Sequence, residues 1–137
     1  MDLSAEVQQT AGILLLAIVA VEWGGWHLLR VVRGKTERTP FQERFERAGH
    51  AHAGVFLILS LVALVYADSI EISGGLVAWA AYNGIPLAAI LMSAGFFLAS
   101  AGQGRTQPNR LIVLLYLGIA SLTAGVVTLG VALLTST

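Results

Sequence analysis

Residues 111–134 read LIVLLYLGIASLTAGVVTLGVALL, an apolar run with no charged side chain. The hydrocarbon core of a bilayer is about 30 Å thick and needs about 20 residues of α-helix to cross it. Three further apolar runs lie at about residues 11–29, 48–66 and 76–101. Because a helix satisfies its own backbone hydrogen bonds, each run predicts a transmembrane helix. The chain is therefore expected to be an all-α integral membrane protein, with four spans in an antiparallel bundle forming one domain over residues 1–137.

The composition agrees with membrane insertion. Of the 137 residues, 56% are hydrophobic and only 12% are charged, whereas a soluble domain carries about a quarter charged residues. There is no cysteine, which excludes disulfides, thiolate chemistry and iron–sulfur clusters. The formal net charge is zero, so nucleic acid is not an expected partner. Met1–Thr10 contains no basic residue, unlike a secretory signal peptide, so the first run is expected to be a retained span.

The positions of the basic residues predict the orientation. All eight lie at or between the first two spans or between the last two: Arg30, Arg33, Lys35, Arg38, Arg44, Arg47, Arg105 and Arg110. Short loops rich in Lys and Arg stay in the cytoplasm, so loops 30–47 and 102–110 are expected there. Both termini and the 68–75 turn would then face outward from a bacterial-type inner (plasma) membrane.

Three local patterns add structural detail. Thr39-Pro40-Phe41-Gln42 has the features of a helix N-terminus, so the second helix is expected to start at Pro40; a solvated loop is the alternative. Small residues on the third and fourth spans predict close helix contacts within the chain or with another protomer: Gly95, Ala99, Gly118, Ser121, Gly125 and Thr128. Pro86 predicts a bend in the third span, with Asn83 as a candidate partner for the freed carbonyl of Tyr82.

A few polar residues within or beside the spans are candidates for chemistry. Glu22 is an ionisable residue within the first span, and such a residue marks a functional site by default. The structural alternative is that Glu22 bonds to a neighbouring helix or pairs with a histidine and only stabilises the bundle. Antiparallel helices would bring Glu22, His27 and at least one of His50 and His52 to the same depth. Residues two apart on a helix point about 200° apart, so His50 and His52 are not expected to face one pocket.

These residues suggest several kinds of site. A zinc or copper centre would need one imidazole from each helix together with Glu22. A haem needs only one axial histidine, an apolar slot and aromatic walls. Glu22 and His27 could instead form a proton relay without a cofactor. Trp23 and Trp26 are expected to act mainly as interfacial or lipid-facing anchors. The glycines near the histidines would suit either a flat macrocycle or close helix packing: Gly24, Gly25, Gly49 and Gly54.

One stretch resembles a known family. RAGHAHAG at residues 47–54, with PNR at residues 108–110, is similar to segments of the membrane-bound styrene oxide isomerases. The resemblance implies four transmembrane helices, a trimer, and haem b ligated by His52. The family also has an asparagine six residues beyond the haem histidine and a tyrosine late in the third helix. Ile58 and, by approximate alignment, Phe97 stand at these positions here, so the chain departs from the family pattern.

Two functional hypotheses follow. The first is a haem b-binding membrane protein with His52 as the axial iron ligand; His50, His27 and Phe97 are further candidate cofactor-binding residues. It would form a homo-oligomer and isomerise a small apolar epoxide from the bilayer to a carbonyl compound. The second is a small transport, proton-relay or partner-stabilising subunit centred on Glu22 and His27. In either case Asn83 is a further polar residue within the membrane.

Overall fold

The computed structural model describes residues 3–70, 72 and 74–136. Over these residues the chain forms four long α-helices and no strand. The helices are α1 (Ala5–Val32), α2 (Pro40–Ser69), α3 (Gly75–Ser100) and α4 (Val113–Thr135), and a short 3-10 helix at Arg110–Ile112 leads into α4. All four are long and apolar enough to cross a membrane, which confirms the predicted all-helical class.

Each helix packs on the next one along the chain, and α2 also has a smaller contact with α4. The contacts are antiparallel: Ser4, just before α1, donates to Asp68 near the end of α2, whereas His27 near the end of α1 meets Glu46 near the start of α2. We call the end with the 33–39 and 101–109 connections the loop end. The opposite end, which we call the terminal end, carries Ser4, the α2–α3 connection and the end of α4.

The second helix begins at Pro40, as predicted from the capping pattern. The hydroxyl of Thr39 accepts from the backbone N–H of Gln42, and the Gln42 side chain accepts from the N–H of Thr39. This reciprocal pair satisfies two N–H groups that a helix start leaves without partners. The first turns of α2 are therefore helix and not a solvated loop, and they reach beyond the apolar part of the span.

Two apolar clusters form the core, and both lie mainly towards the terminal end. Four side chains of α1 and α2 form the first: Val7, Leu14, Leu57 and Leu64. Five side chains of α2, α3 and α4 form the second: Ala63, Ala67, Ala81, Ile85 and Leu129. Large apolar side chains elsewhere remain exposed along the outer faces, including Leu16, Ile90 and Val127. Such surfaces suit contact with lipid, because lipid tails are as apolar as leucine.

The contact between α3 and α4 depends on glycine. A Cβ atom added at Gly84 would lie 2.6 Å from the Cα of Gly125, and one at Gly95 would lie 2.6 Å from the backbone nitrogen of Leu115. A Cβ at Gly118 would lie 2.8 Å from the nitrogen of Met92. We call Gly84, Gly95, Gly118 and Gly125 the glycine seam. The predicted close approach of helices is thus confirmed, and it occurs within one chain.

Candidate functional site

A buried carboxylate organises the loop end of the α1–α2 contact. Glu46 is only 5% exposed. Its Oε2 atom lies 2.9 Å from Nε2 of His27, and its Oε1 atom accepts from Nε of Arg38 at 2.7 Å. Burying a charged group without partners is costly, and here both carboxylate oxygens are paired. Nε2 of His27 is engaged by Glu46, and Nδ1 has no hydrogen bond to any residue that the structure describes.

A buried amide joins α2 to the end of α3. Nε2 of Gln42 donates to the carbonyl of Ser100 at 3.0 Å and to the carbonyl of Gly102 at 2.7 Å. The hydroxyl of Thr39 donates to the carbonyl of Arg105. These bonds tie the connection after α3 to the start of α2. We call His27, Arg38, Gln42 and Glu46 the polar cluster.

A cavity of about 1090 Å³ opens beside the polar cluster. Its walls come from α1, α2, the end of α3 and both connections of the loop end. Side chains and backbone of fifteen residues line it: Ala20, Trp23, Gly24, His27, Thr36, Glu37, Arg38, Thr39, Gln42, Glu46, Phe97, Ala101, Gly102, Gln103 and Gly104. The structure therefore brings His27 and Phe97, two of the predicted cofactor-binding residues, to the same cavity. His50 and His52 are not among its lining residues.

His52 lies on a different side of α2, next to α3. Its Nδ1 atom is 2.7 Å from the carbonyl oxygen of Ala48. A carbonyl only accepts, so Nδ1 carries the proton and the neutral ring has its lone pair on Nε2. The ring packs beside Phe96 and Phe56, with centroid distances of 4.9 Å and 5.4 Å. Nε2 has no hydrogen bond within the described part of the chain.

His50 faces α1. A Cβ atom at Gly24 would lie 3.3 Å from its Nδ1 atom, and one at Gly25 would lie 3.3 Å from its Cε1 atom. The two glycines thus accommodate the imidazole between the helices. A Cβ at Gly49 would likewise be 2.9 Å from Cβ of Phe96. At these three glycines, close packing of protein side chains occupies the space.

Glu22 and Asn83 are exposed on the outer surface. Glu22 has no hydrogen bond or ion pair among residues 3–70, 72 and 74–136, so the carboxylate that pairs with His27 is Glu46 and not Glu22. The amide of Asn83 donates to the carbonyl of Trp79 at 3.1 Å. Within the same residues, no three His, Asp or Glu side chains are grouped to hold a metal ion. A zinc or copper site built from two histidines and Glu22 is therefore not formed.

The sequence analysis did not identify Glu46, and it gave Gln42 only a role in the helix start, not the buried hydrogen bonds to the end of α3. A signal was present: Gln42, Glu46 and His50 follow one another at intervals of four. Residues four apart lie on the same face of a helix. This polar stripe pointed to a buried face that needs hydrogen-bond partners.

Comparison with family models, with curated proteins and with solved structures finds no match for this chain.

Proposed function

We propose that this chain is a haem b-binding integral membrane protein with His52 as the axial ligand. The observation that supports this most directly is the hydrogen bond between Nδ1 of His52 and the carbonyl of Ala48. Metal-ligating histidines commonly donate their other ring N–H to such a partner, which fixes the tautomer and the ring orientation. The lone pair of Nε2 is then available for iron.

The surroundings of His52 also suit a large apolar cofactor. The residues three and seven positions further along α2, Val55 and Leu59, are exposed, so His52 lies at the edge of the bundle surface. Phe56 and Phe96 would provide aromatic walls beside the ligand. His27 and His50 are less suitable: Nε2 of His27 pairs with Glu46, and the His50 ring is packed against Gly24 and Gly25.

The activity implied by the resemblance is the isomerisation of a small apolar epoxide to a carbonyl compound. When bound, a ferric haem would supply a Lewis acid for the epoxide oxygen, and the protein would supply orientation and an apolar environment. Ile58 and Phe97 offer no polar group to the substrate. We therefore expect an apolar substrate that needs no hydrogen bond from these two positions.

We further propose that both termini face outward from a bacterial-type inner membrane. All eight basic residues belong to the loop end, and short basic loops remain cytoplasmic. A homo-oligomer, a trimer by the resemblance, is also proposed. Glu22 supports a protein contact at α1, because an exposed carboxylate inside a membrane span is costly. Cysteine labelling at Ser4 against Thr106 in intact cells checks the orientation, and mass measurement of the detergent-solubilised particle checks the subunit number.

The test of haem binding is the absorbance spectrum of protein purified after expression with adequate haem. We expect a Soret band that is lost in His52→Ala and retained in His50→Ala. No Soret band in the unmodified protein would refute haem binding. Loss of the band in His50→Ala, with retention in His52→Ala, would refute the ligand assignment while leaving haem binding intact.

A proton-relay or partner-stabilising subunit is the second candidate. The observation that favours it is the His27–Glu46 pair beside the cavity, which replaces the expected Glu22–His27 centre. A relay needs a titratable group with access to both a donor and an acceptor. Proton flux into vesicles without haem, abolished by His27→Ala and unaffected by His52→Ala, would support this function.

A further inference from the structure

A second, smaller cavity lies at the loop end of α1. It measures about 300 Å³, within the range of about 300–1000 Å³ for sites that bind small molecules. Five residues line it: Trp26, Leu29, Arg30, Arg33 and Lys35. Three of the five carry a positive charge, and none of the acidic residues that the structure describes is part of this lining. We call this cavity the basic pocket.

The turn that follows α1 brings the three cations together. The backbone N–H of Lys35 donates to the carbonyl of Arg30 at 2.9 Å, and the N–H of Gly34 donates to the carbonyl of Val31 at 2.9 Å. Gly34 has a φ of +66°, so the turn has the hydrogen bonds and the left-handed glycine of a Schellman motif. Because this motif directs the chain back onto the last turn of the helix, Lys35 lies beside Arg30. The backbone of the basic pocket is therefore fixed by sequence.

The cations of the basic pocket have no counter-charge in the described chain. Over residues 3–70, 72 and 74–136, no hydrogen bond or ion pair is made by the side chains of Arg30, Arg33 and Lys35. Glu22 is the nearest acidic residue on α1, and it lies about 12 Å from Arg30 along the helix at a rise of about 1.5 Å per residue. Glu37 lines the larger cavity instead. The basic pocket therefore suits an anion.

The outer face of α1 continues from the basic pocket as an apolar stripe. Leu16, Val19, Trp23 and Trp26 follow one another at intervals of three and four, which places them on one face of the helix. Their exposed fractions lie between 57% and 76%, and Arg30 continues the same spacing. From Leu16 to Trp26 the stripe is about 15 Å long, which is half of a hydrocarbon core of about 30 Å. An anionic phospholipid has the same arrangement, with acyl chains across one leaflet and a charged group at their end.

We propose that the basic pocket binds the headgroup phosphate of an anionic phospholipid whose acyl chains lie along the apolar stripe. The planar guanidinium groups of Arg30 and Arg33 match the geometry of phosphate oxygens, and Lys35 adds a third positive charge. The apolar stripe favours a lipid over a soluble phosphate. The proposal rests on the proposed insertion of the chain into a membrane, but it does not depend on haem or on His52.

The test uses Trp26 as the reporter. The full chain carrying Trp23→Phe and Trp79→Phe is reconstituted in vesicles of phosphatidylcholine brominated near the glycerol end of its acyl chains, which quenches tryptophan fluorescence. Unlabelled phosphatidylglycerol, or unlabelled phosphatidylcholine in a parallel series, then replaces increasing fractions of the brominated lipid. We expect fluorescence to recover at fractions of phosphatidylglycerol that are lower by about tenfold, the scale of two basic side chains at an anionic surface.

Equal recovery in the two series would overturn the proposal, because the lipid beside Trp26 would then be unselected. Fluorescence is expressed relative to the same protein in unlabelled phosphatidylcholine, so that any bound haem affects both values equally. The result is therefore independent of the Soret band that tests haem binding.

Two double variants of equal charge separate the basic pocket from the general attraction of basic loops to anionic lipid. Arg33→Gln/Lys35→Gln removes two cations of the pocket and should lower the preference for phosphatidylglycerol by about fivefold or more. Arg44→Gln/Arg110→Gln removes the same charge from the same end of the bundle, outside the pocket. Since the attraction falls off with distance, this control should stay within about twofold of the unmodified preference. All four positions are exposed, so both variants should keep the fold. Equal losses in the two variants would overturn the assignment to the pocket.

Soluble phosphate is the other source of the same chemistry. Inorganic phosphate at millimolar concentration is added to the mixed vesicles and compared with potassium chloride of equal ionic strength. We expect the two salts to lower the preference for phosphatidylglycerol equally, because both only screen the charges. A larger decrease with phosphate would show that the pocket binds the free anion and would overturn the assignment to a lipid.

Discussion

The α3–α4 contact and the loop end of the α1–α2 contact join helices in opposite ways. In the glycine seam, backbone meets backbone, and no side chain separates the helices at Gly84 and Gly125. In the polar cluster, the helices are joined by long side chains that meet at Glu46. Close backbone approach leaves no room for a ligand. The cavity lies beside these bridging side chains.

This contrast separates a structural part of the bundle from a part suited to binding. Dispersion contacts in membrane helices increase as small residues bring the backbones together, so the α3–α4 pair forms a rigid unit. The apolar core of the α1–α2 pair lies towards the terminal end, at the Val7 and Leu64 cluster, and polar side chains join the pair at the loop end. Ligands and partners are therefore expected on the α1 side.

The largest effect is expected from adding a single methyl group to the glycine seam. In Gly84→Ala the new Cβ would lie 2.6 Å from Cα and 2.8 Å from the nitrogen of Gly125. Backbone atoms cannot rotate away, so the helices must separate. Overpacking of this kind lowers the free energy of unfolding by about 3 kcal/mol. Unfolding in mixed detergent micelles, followed by circular dichroism, measures the change.

Gly130→Ala on α4 is the matched control. A Cβ at Gly130 would meet no atom within 4 Å. Alanine has a higher helix propensity than glycine, so this variant should gain up to about 1 kcal/mol. Effects of the same sign and size in the two variants would show that the seam is not the close contact described.

A smaller effect is expected at the polar cluster. Glu46→Leu removes the acceptor of His27 and Arg38, and both donors lose a charge-assisted partner. Because both are partly accessible to solvent, the loss in unfolding free energy should be about 2 kcal/mol. Glu43→Leu is the control: its ion pair with Arg47 spans 3.8 Å between partly exposed side chains, so the change should stay within about 0.5 kcal/mol. If the two variants lost equal stability, Glu46 would not be the organising residue.

The helices were predictable from sequence because each depends on a local signal. A long apolar run is sufficient to predict a span, and the Thr39–Gln42 capping pattern predicted the start of α2 correctly. The small residues of α3 and α4 predicted close packing. Their partner helix was not predictable, because small residues suit contacts within a chain and between chains equally.

The candidate site was less predictable because it depends on the rotation of α2 about its axis. Glu46 belongs to a stretch rich in charged residues, and nothing in the composition distinguishes it from its exposed neighbours Arg44 and Arg47. Only the packing of α2 between α1 and α3 directs Glu46 towards His27 and His52 towards Phe96. Glu22 shows the same limit: its place within a long apolar helix was predictable, but its outward direction depends on which face of α1 meets α2.

The smallest effect tests how the polar cluster holds the loop end together. Gln42→Met keeps the size of the side chain but removes the donor to the carbonyls of Ser100 and Gly102, together with the acceptor of the Thr39 N–H. Both carbonyls lie near the end of α3, where water can replace part of the loss, so the cost should be about 1 kcal/mol. Gln107→Met, at an exposed position of the same loop, should change stability by less than about 0.5 kcal/mol. Hydrogen exchange adds a local readout: faster exchange in the 101–109 connection of Gln42→Met, beyond that of the Thr39 N–H which also loses its acceptor, is expected if this amide positions the cavity wall. Exchange equal to that of Gln107→Met would show that the connection is held by other contacts, and the polar cluster would then consist of Glu46 and its two partners alone.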